Sequence, residues 1–558
     1  MKPALRAAAF PLALAMSLGA AFLVYRGSTS PWLAVLWLLS LFPFALSADD
    51  RPRRAGPRMR LSTIALLVFA AALPVLVRVA NMDASRMHTD EFITAYASAK
   101  HDFAHTSFFG SMPEYWEWQG QFPKPFFFLQ RVFFEIFGAS TLTMRLSVQI
   151  YVAAISAMLF LIVRDILDRR AAVVAVILSS FLAVSVYLET LGLHFVSSTA
   201  VFTVFFYLAL REYRSGRSFD AALAGMACGF CFLTYYSSYL ALPMLLAFAA
   251  IHWLRDRSWR VFRNFLIALF GVILVLAPFA AFAARFGNYV APRTKQVALL
   301  TGEWSPYREA IANGTRTPLS VIRENLVLSL KSFVKEGIGG HGGYDLGHLA
   351  FFDRFTLALF LAGFLAGVVL LFRKSELVFV FLAIVAPFLT GMVLTIPPPA
   401  YHRFGIAFPF LVILMTLPFY LLLRLSPLPG SVRYALAAGI LLVFACVNQR
   451  YFVEAVARDP APDELRLSEL INQRFDGRNL YVAAFDSFAF QKILYFNNKW
   501  PNRRVETTFH DHLLKRFNPN EKYVYVMILA DAFRERFRKA DPNGRFYRFS
   551  ISYSLFAN

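Results

Sequence analysis

Charge is scarce in this chain, and acidic charge scarcer than basic. Charged residues make up 16% of the 558 positions, against roughly 25% in ordinary soluble domains. Hydrophobic residues reach 58%, and the mean hydropathy is +0.52. Too few polar side chains exist to clothe a string of water-soluble domains. Disorder is excluded as well, because disordered chains are poor in aromatics and rich in charge, whereas phenylalanine alone occurs 60 times. With only three cysteines, no disulfide framework holds the fold. Cys228-Gly-Phe-Cys231 has the spacing of a redox or metal pair, but it lies in an apolar run where thiols ionise poorly and pack as small hydrophobes. What remains is a polytopic α-helical membrane protein.

A helix crossing about 30 Å of hydrocarbon needs about 20 apolar residues. About thirteen such segments are expected, near 7–25, 31–47, 61–79, 141–163, 171–190, 194–211, 219–236, 238–254, 264–284, 351–372, 376–396, 404–424 and 432–449. Every second connection is short and arginine-rich, as in Arg164, Arg169 and Arg170, or Arg255, Arg257, Arg260 and Arg263, which places these loops in the cytoplasm. The net charge of +21 is therefore largely a topology signal and gives little support to nucleic-acid binding. Lys2 and Arg6 put the N-terminus inside. The first apolar run also resembles a signal peptide, but another span follows residue 25 almost at once, which favours an uncleaved helix; both readings leave the same topology downstream.

Parity then sends two long loops, 80–140 and 285–350, and the tail 451–558 to the extracytoplasmic side. The tail is charged and carries β-type runs, Asn479 to Phe485 and Lys522 to Leu529, beside a helical stretch from Asp463 to Phe475, so it reads as a small α/β domain.

The first outer loop holds the sharpest chemical signal. It opens Asn81-Met-Asp-Ala-Ser-Arg-Met-His-Thr-Asp90-Glu91-Phe92, with two adjacent carboxylates just past a span. An acid that loses water on one side gains proton affinity and suits general-base work; a pair of solvated loop acids is the plainer alternative. The loop continues through Trp116, Trp118 and Pro123-Lys-Pro125-Phe-Phe-Phe, then Phe137-Gly-Ala-Ser140-Thr-Leu-Thr-Met-Arg145-Leu. The Asp-Glu pair after an early span, the Pro-x-Pro turn into a hydrophobic helix and the Phe-Gly-x-Ser-x-x-x-x-Arg-Leu entry into the next span together resemble the GT-C glycosyltransferases. The resemblance is strongest to the bacterial branch with protein O-mannosyltransferases, lipid A aminoarabinose transferases and Rgt-type lipopolysaccharide core glycosyltransferases. It covers about 60–450, leaving 1–60 as two additional N-terminal helices, 61–450 as the transmembrane catalytic domain and 451–558 as the extracytoplasmic domain.

The resemblance implies an inner-membrane enzyme that transfers one sugar, a hexose or pentose, from a polyprenyl-phosphate carrier to an extracytoplasmic acceptor such as an envelope glycan, lipid or protein. Asp90 matches the position of the catalytic carboxylate, and Glu91 its neighbour. A carboxylate accepting the proton of an acceptor hydroxyl while the lipid phosphate departs from the opposite face would invert the anomeric configuration. Two readings stand for Arg403, in Tyr401-His402-Arg403-Phe404: a bidentate phosphate contact, or a membrane-end arginine snorkelling to headgroups. Lys124, Arg131 and Arg145 are weaker candidates for the donor phosphate. Glu189 and His194 flank a short outer turn and, with Tyr235, Tyr236, Tyr401 and His402, are candidate substrate contacts, although a turn merely polar to water explains the first two as well. His341, Asp345 and His348 sit in a glycine-rich stretch without established metal spacing; it reads as a loop over the acceptor cleft, and no metal or other cofactor is expected.

Two other classes stay open, a transporter or flippase of lipid-linked sugars and a noncatalytic envelope assembly subunit. Against transport, the acids gather at one outer surface and no internal repeat is evident. The topology is checked by a single cysteine at Ser85: a membrane-impermeant thiol reagent should label it in intact spheroplasts, and labelling only after lysis would overturn the placement of Asp90.

Overall fold

The computed structural model describes residues 3–48, 61–82, 88–99, 106–111, 125–287, 295–338, 344–396, 398–458, 463–475, 477–483, 505–507, 520–528, 534–548 and 553–557. Among them, nine helices are long and apolar enough to cross a membrane, and a tenth span results if the bent pair Arg169–Phe181 and Ala183–Glu189 counts as one. Three further apolar helices, Trp32–Ser47, Ser218–Cys231 and Leu377–Val393, are shorter. The expectation of thirteen full spans is thus met by helices at each place but not by thirteen of spanning length. Two compact units divide the chain: Met1–Ser85 with His101–Arg131 and Arg145–Asp459, and Arg86–Lys100 with Val132–Met144 and Pro460–Asn558.

In the first unit, proline sets the packing. Pro278 inside helix Trp259–Phe286 has no N–H to give the carbonyl one turn earlier, that of Leu274. Ser17 Oγ donates to that oxygen at 2.9 Å and Trp37 Nε1 at 3.3 Å, so the two N-terminal helices supply what the proline removed. Trp37 is fully buried at the centre of an apolar cluster with Phe279, Phe282, Leu233 and Phe109. Phe109 stands in the turn of a small hairpin, β1 (Thr106–Ser107) and β2 (Gly110–Ser111). Beside this cluster, helices Ser218–Cys231 and Trp259–Phe286 approach closely through Gly225, Gly229 and Gly271. A Cβ on Gly225 would lie 1.9 Å from the Ala268 carbonyl oxygen. This is the small-residue contact through which membrane helices gain van der Waals packing. Cys228 and Cys231 are buried and free on the same helix.

The bent pair breaks by 62° at Leu182. In hydrocarbon the backbone groups released by such a break need partners from elsewhere. Asn448 Oδ1 accepts the Ala183 N–H at 2.9 Å, while its Nδ2 donates to Thr356 Oγ1 at 2.8 Å. On the other side of the break, Arg78 donates to the carbonyls of Ser179 and Ser180 at 3.0 and 2.8 Å.

The second unit contains a five-stranded sheet in the order β4-β3-β5-β7-β6, built from β3 (Asn479–Ala483), β4 (Val505–Thr507), β5 (Tyr523–Ile528), β6 (Arg545–Arg548) and β7 (Tyr553–Ala557). Strands β4, β3 and β5 run parallel; β7 pairs antiparallel with both β5 and β6. The alternation in Tyr523-Val-Tyr-Val sorts side chains by face. Val524 and Val526 join Leu467 and Ile471 of helix Asp463–Arg474, whereas Tyr525 meets Phe537 of helix Arg534–Ala540. Tyr523 Oη donates to Asp541 Oδ2, and burial together with that carboxylate holds its phenol above the usual range. Helix Thr89–Ala99 also belongs to this unit, where Ala95 and Ala99 pack on Phe134 and Met144.

Gly225→Val should abolish monodisperse elution in detergent, because its branched side chain meets backbone rather than a movable side chain; Cys231→Ala should elute as wild type. Equal behaviour of the two variants would contradict the glycine contact.

Candidate functional site

The first outer loop folds its acidic pair into a helix start. His88 precedes helix Thr89–Ala99, and its Nδ1 accepts the Asp90 N–H at 3.1 Å. Glu91, three residues on, reaches back with Oε2 to the His88 N–H at 2.9 Å, which closes a capping box. The neighbouring carboxylates therefore differ. Glu91, expected as Asp90's catalytic neighbour, is fully buried and anchors the turn; Asp90 keeps part of its side chain open. His88 Nδ1 lies 4.0 Å from Asp90 Oδ2, but a nitrogen that accepts an N–H carries a lone pair, so this contact is not a charge pair.

In the first unit a second set of residues converges around a cavity of about 340 Å³. Its frame is irregular backbone. Helix Leu377–Pro387 runs into a π turn, Phe388–Val393. Gly391 in that turn faces the Arg403 backbone, where a Cβ would stand 2.9 Å from the Arg403 carbonyl oxygen. Carbonyls at the end of this turn find donors from other elements. Thr395 Oγ1 serves Gly391, Ser329 Oγ serves Met392 at 3.1 Å, Asn325 Nδ2 serves Val393 at 3.2 Å, and the Leu299 N–H serves Leu394 at 2.9 Å. Arg403 Nη1 serves Ile396 at 2.8 Å. The rest of that guanidinium is left over. Arg403 is fully buried, yet its Nε and Nη2 have no hydrogen-bond partner among the described residues, and it lines the cavity. The Tyr236 ring lies 5.9 Å from the guanidinium carbon, and among the described residues no carboxylate forms an ion pair with it. A buried guanidinium carries a large desolvation cost unless an anion meets it, and its two open nitrogens could take a planar, multidentate oxyanion.

Aromatic rings continue the site. Tyr235 Oη donates to Tyr236 Oη at 2.9 Å. The Tyr235 ring lies 5.1 Å from His194 and 6.0 Å from His402, and His402 lies 4.2 Å from Tyr344. Phe126 and Phe127, directly after Pro125, border His194. The structure thus gathers His194, Tyr235, Tyr236, His402 and Arg403 in one place.

Other expected contacts lie elsewhere. Tyr401 Oη donates to the Ser332 carbonyl at 3.3 Å, away from the cavity lining. Arg145 is buried, with Nη1 on the Met82 carbonyl. Arg131 is half-buried on helix Pro125–Phe137. Lys124 and His341 lie outside the described residues. The outer turn at Glu189 and His194 is not polar to water, since both residues are buried. Glu189 Oε2 accepts from Arg78 Nε at 3.0 Å and Nη2 at 2.6 Å, so it serves as counterion to the arginine that holds the broken helix. Asp345 pairs with His348 at 2.8 Å, and no group of three or more metal-ligating side chains occurs among the described residues.

Arg78, Tyr344, Thr390 and Thr395 were not singled out in the sequence. Arg78 had a signal: it is an arginine at the outer, not the cytoplasmic, end of its expected span.

Residues 123–282 match the family described as dolichyl-phosphate-mannose-protein mannosyltransferase. The chain resembles a GT-C glycosyltransferase. The matched stretch contains the Pro-x-Pro helix, Glu189, His194, Tyr235 and Tyr236. No curated protein matches the chain. Among solved structures, ArnT from Cupriavidus metallidurans bound to undecaprenyl phosphate is 14% identical, with a TM-score of 0.49 over 89% of this chain and 98% of that one. The same protein in the apo state gives 13% identity, a TM-score of 0.49 and the same coverage. Arabinosyltransferase EmbB from Mycobacterium smegmatis gives 14% and 0.35, over 76% of this chain and 43% of that one.

Arg78→Met should leave Glu189 buried without its partner and cost about 3–5 kcal/mol of stability. Adding Glu189→Met should recover part of that loss in a double-mutant cycle read by thermal unfolding in detergent. Additive losses would mean that the two residues do not act as a pair.

Proposed function

We propose that this protein is an integral membrane glycosyltransferase of the inner membrane, moving a sugar from a polyprenyl-phosphate donor to a hydroxyl of an envelope glycan or lipid on the extracytoplasmic side. The observation that carries the reading is Arg403, a buried guanidinium with two unpartnered nitrogens on a cavity whose other walls are tyrosine, threonine and apolar side chains. That combination fits the phosphate and the first apolar carbons of a lipid carrier. The family match over 123–282 and the basic connecting loops support the class and the orientation.

The roles divide by chemistry. The acceptor hydroxyl oxygen forms a bond to the anomeric carbon, the bond from that carbon to the phosphate oxygen breaks, and the hydroxyl proton passes to Asp90. Arg403 takes up the charge that develops on the departing phosphate, aided by being fixed before the reaction begins. Single displacement inverts the anomeric centre. Glu91 acts through the helix start, positioning Asp90. These roles route no step through a metal. His194, Tyr235, Tyr236 and His402 line the site as sugar or carrier contacts, since aromatic rings stack on the apolar faces of both.

The test is transfer from a panel of polyprenyl-phosphate sugars to envelope fractions, with product detected by mass spectrometry. Asp90→Asn should reduce turnover by at least about 10²-fold, the lower end for loss of a general base, while leaving thermal stability unchanged. Glu91→Gln keeps a side chain able to close the capping box and should retain most activity. Full activity of Asp90→Asn would remove the base; equal inactivation by Glu91→Gln would make both acids chemical. Absence of transfer with every donor, alongside carrier movement across liposomes, would favour the flippase reading.

A further inference from the structure

The span that begins at Tyr401 carries a second basic cavity at its other end. Arg403 lies in its first turn and Arg424 in its last, 21 residues on, about 30 Å away at helical rise. There a cavity of about 270 Å³ is lined by Asp168, Arg169, Arg170, Leu423 and Arg424. Three guanidiniums and one carboxylate border it. That carboxylate is already engaged, because Asp168 Oδ1 caps helix Arg169–Phe181 by accepting the N–H groups of Arg170 and Ala171, each at 2.9 Å. Its other oxygen stands 3.6 Å from Arg424 Nη1.

Arg169 and Arg170 are held in place by neutral partners that leave their charge uncompensated. Arg169 Nη2 donates to the Ser62 carbonyl at 3.0 Å, and the Arg170 guanidinium lies 5.5 Å from the centre of the Tyr434 ring. All three arginines are exposed, and they border a concavity between helix ends. Next to it the surface turns apolar, with Leu425, Leu428, Tyr434 and Leu436 all exposed. A phosphate in the cavity would thus have acyl chains lying along apolar side chains.

We propose that this cavity binds the phosphate of an anionic phospholipid in the leaflet opposite the Arg403 cavity. A free inorganic phosphate shares the headgroup chemistry but makes no use of the adjacent apolar surface, which is why the lipid is the favoured source. The site is separate from the transfer chemistry and stands or falls without it.

The full-length purified protein, delipidated in neutral detergent, is titrated with phosphatidylglycerol, phosphatidylcholine or inorganic phosphate, and the unfolding temperature is followed. Phosphatidylglycerol should raise it and the other two should not. Arg169→Gln/Arg170→Gln/Arg424→Gln should lose the effect, each arginine contributing about fivefold in affinity. Asp168→Asn keeps a good capping residue while removing the negative charge, so it should bind phosphatidylglycerol more tightly than wild type and keeps the test valid if the triple variant fails to fold. Equal stabilisation by phosphatidylcholine, full stabilisation by inorganic phosphate, or unchanged binding in both variants would overturn the proposal. Sugar transfer is not read in this experiment, so its outcome is distinguishable from failure of the glycosyltransferase reading.

Discussion

Hydrogen-bond closure of irregular backbone in an apolar medium governs this structure. Three departures from regular helix in the first unit are met by named side chains. Ser17 and Trp37 meet the carbonyl that Pro278 releases. Asn448 and Arg78 meet the groups exposed where the helix breaks at Leu182. Ser329, Asn325 and Thr395 meet the carbonyls of the π turn. Unsatisfied groups cost several kcal/mol each in hydrocarbon, so these side chains are structural necessities and not ornaments of a site. Arg403 stands apart because one nitrogen completes the same accounting while Nε and Nη2 stay open to a cavity. The incompleteness is where a ligand is to be sought.

This distinction also separates two buried arginines that look alike in the sequence. Arg78 and Arg403 each end or begin a long apolar run, and both are fully buried. Arg78 has a carboxylate and backbone carbonyls around it. Arg403 has a carbonyl and tyrosine rings. The first is a closed structural pair; the second keeps two nitrogens without a hydrogen-bond partner among the described residues. The acidic pair divides in the same manner, Glu91 closing the turn and Asp90 remaining partly open.

Much of the fold was legible because long apolar runs and arginine-rich loops report directly on the membrane. The strand pattern in the tail was legible because Tyr523-Val-Tyr-Val alternates with period two, whereas β4, β6 and β7 are short and carry weaker patterns. Span lengths were harder: proline and glycine shorten or bend helices such as Trp32–Ser47 and Ser218–Cys231, and window hydropathy does not see where hydrogen bonding stops. The π turn at Phe388–Val393 has no local signature beyond Gly391, so the cavity it frames was invisible, although Arg403 was a candidate from its place beside a span. Glu189 stood as a substrate contact or part of a turn polar to water, and neither reading could see its partner, Arg78, 111 positions earlier. Residue type located the ionisable groups, and only tertiary contact told which were already neutralised.

The central claim is that Arg403 is held open for the carrier's phosphate. Its most direct measurement is the affinity of the purified protein for a polyprenyl phosphate, compared between wild type and Arg403→Gln. Loss of a charge-assisted hydrogen bond predicts weakening by about 1.5–3 kcal/mol, roughly ten- to a hundredfold, with folding intact. Equal affinity in the two proteins would show that the phosphate binds elsewhere and would contradict the account.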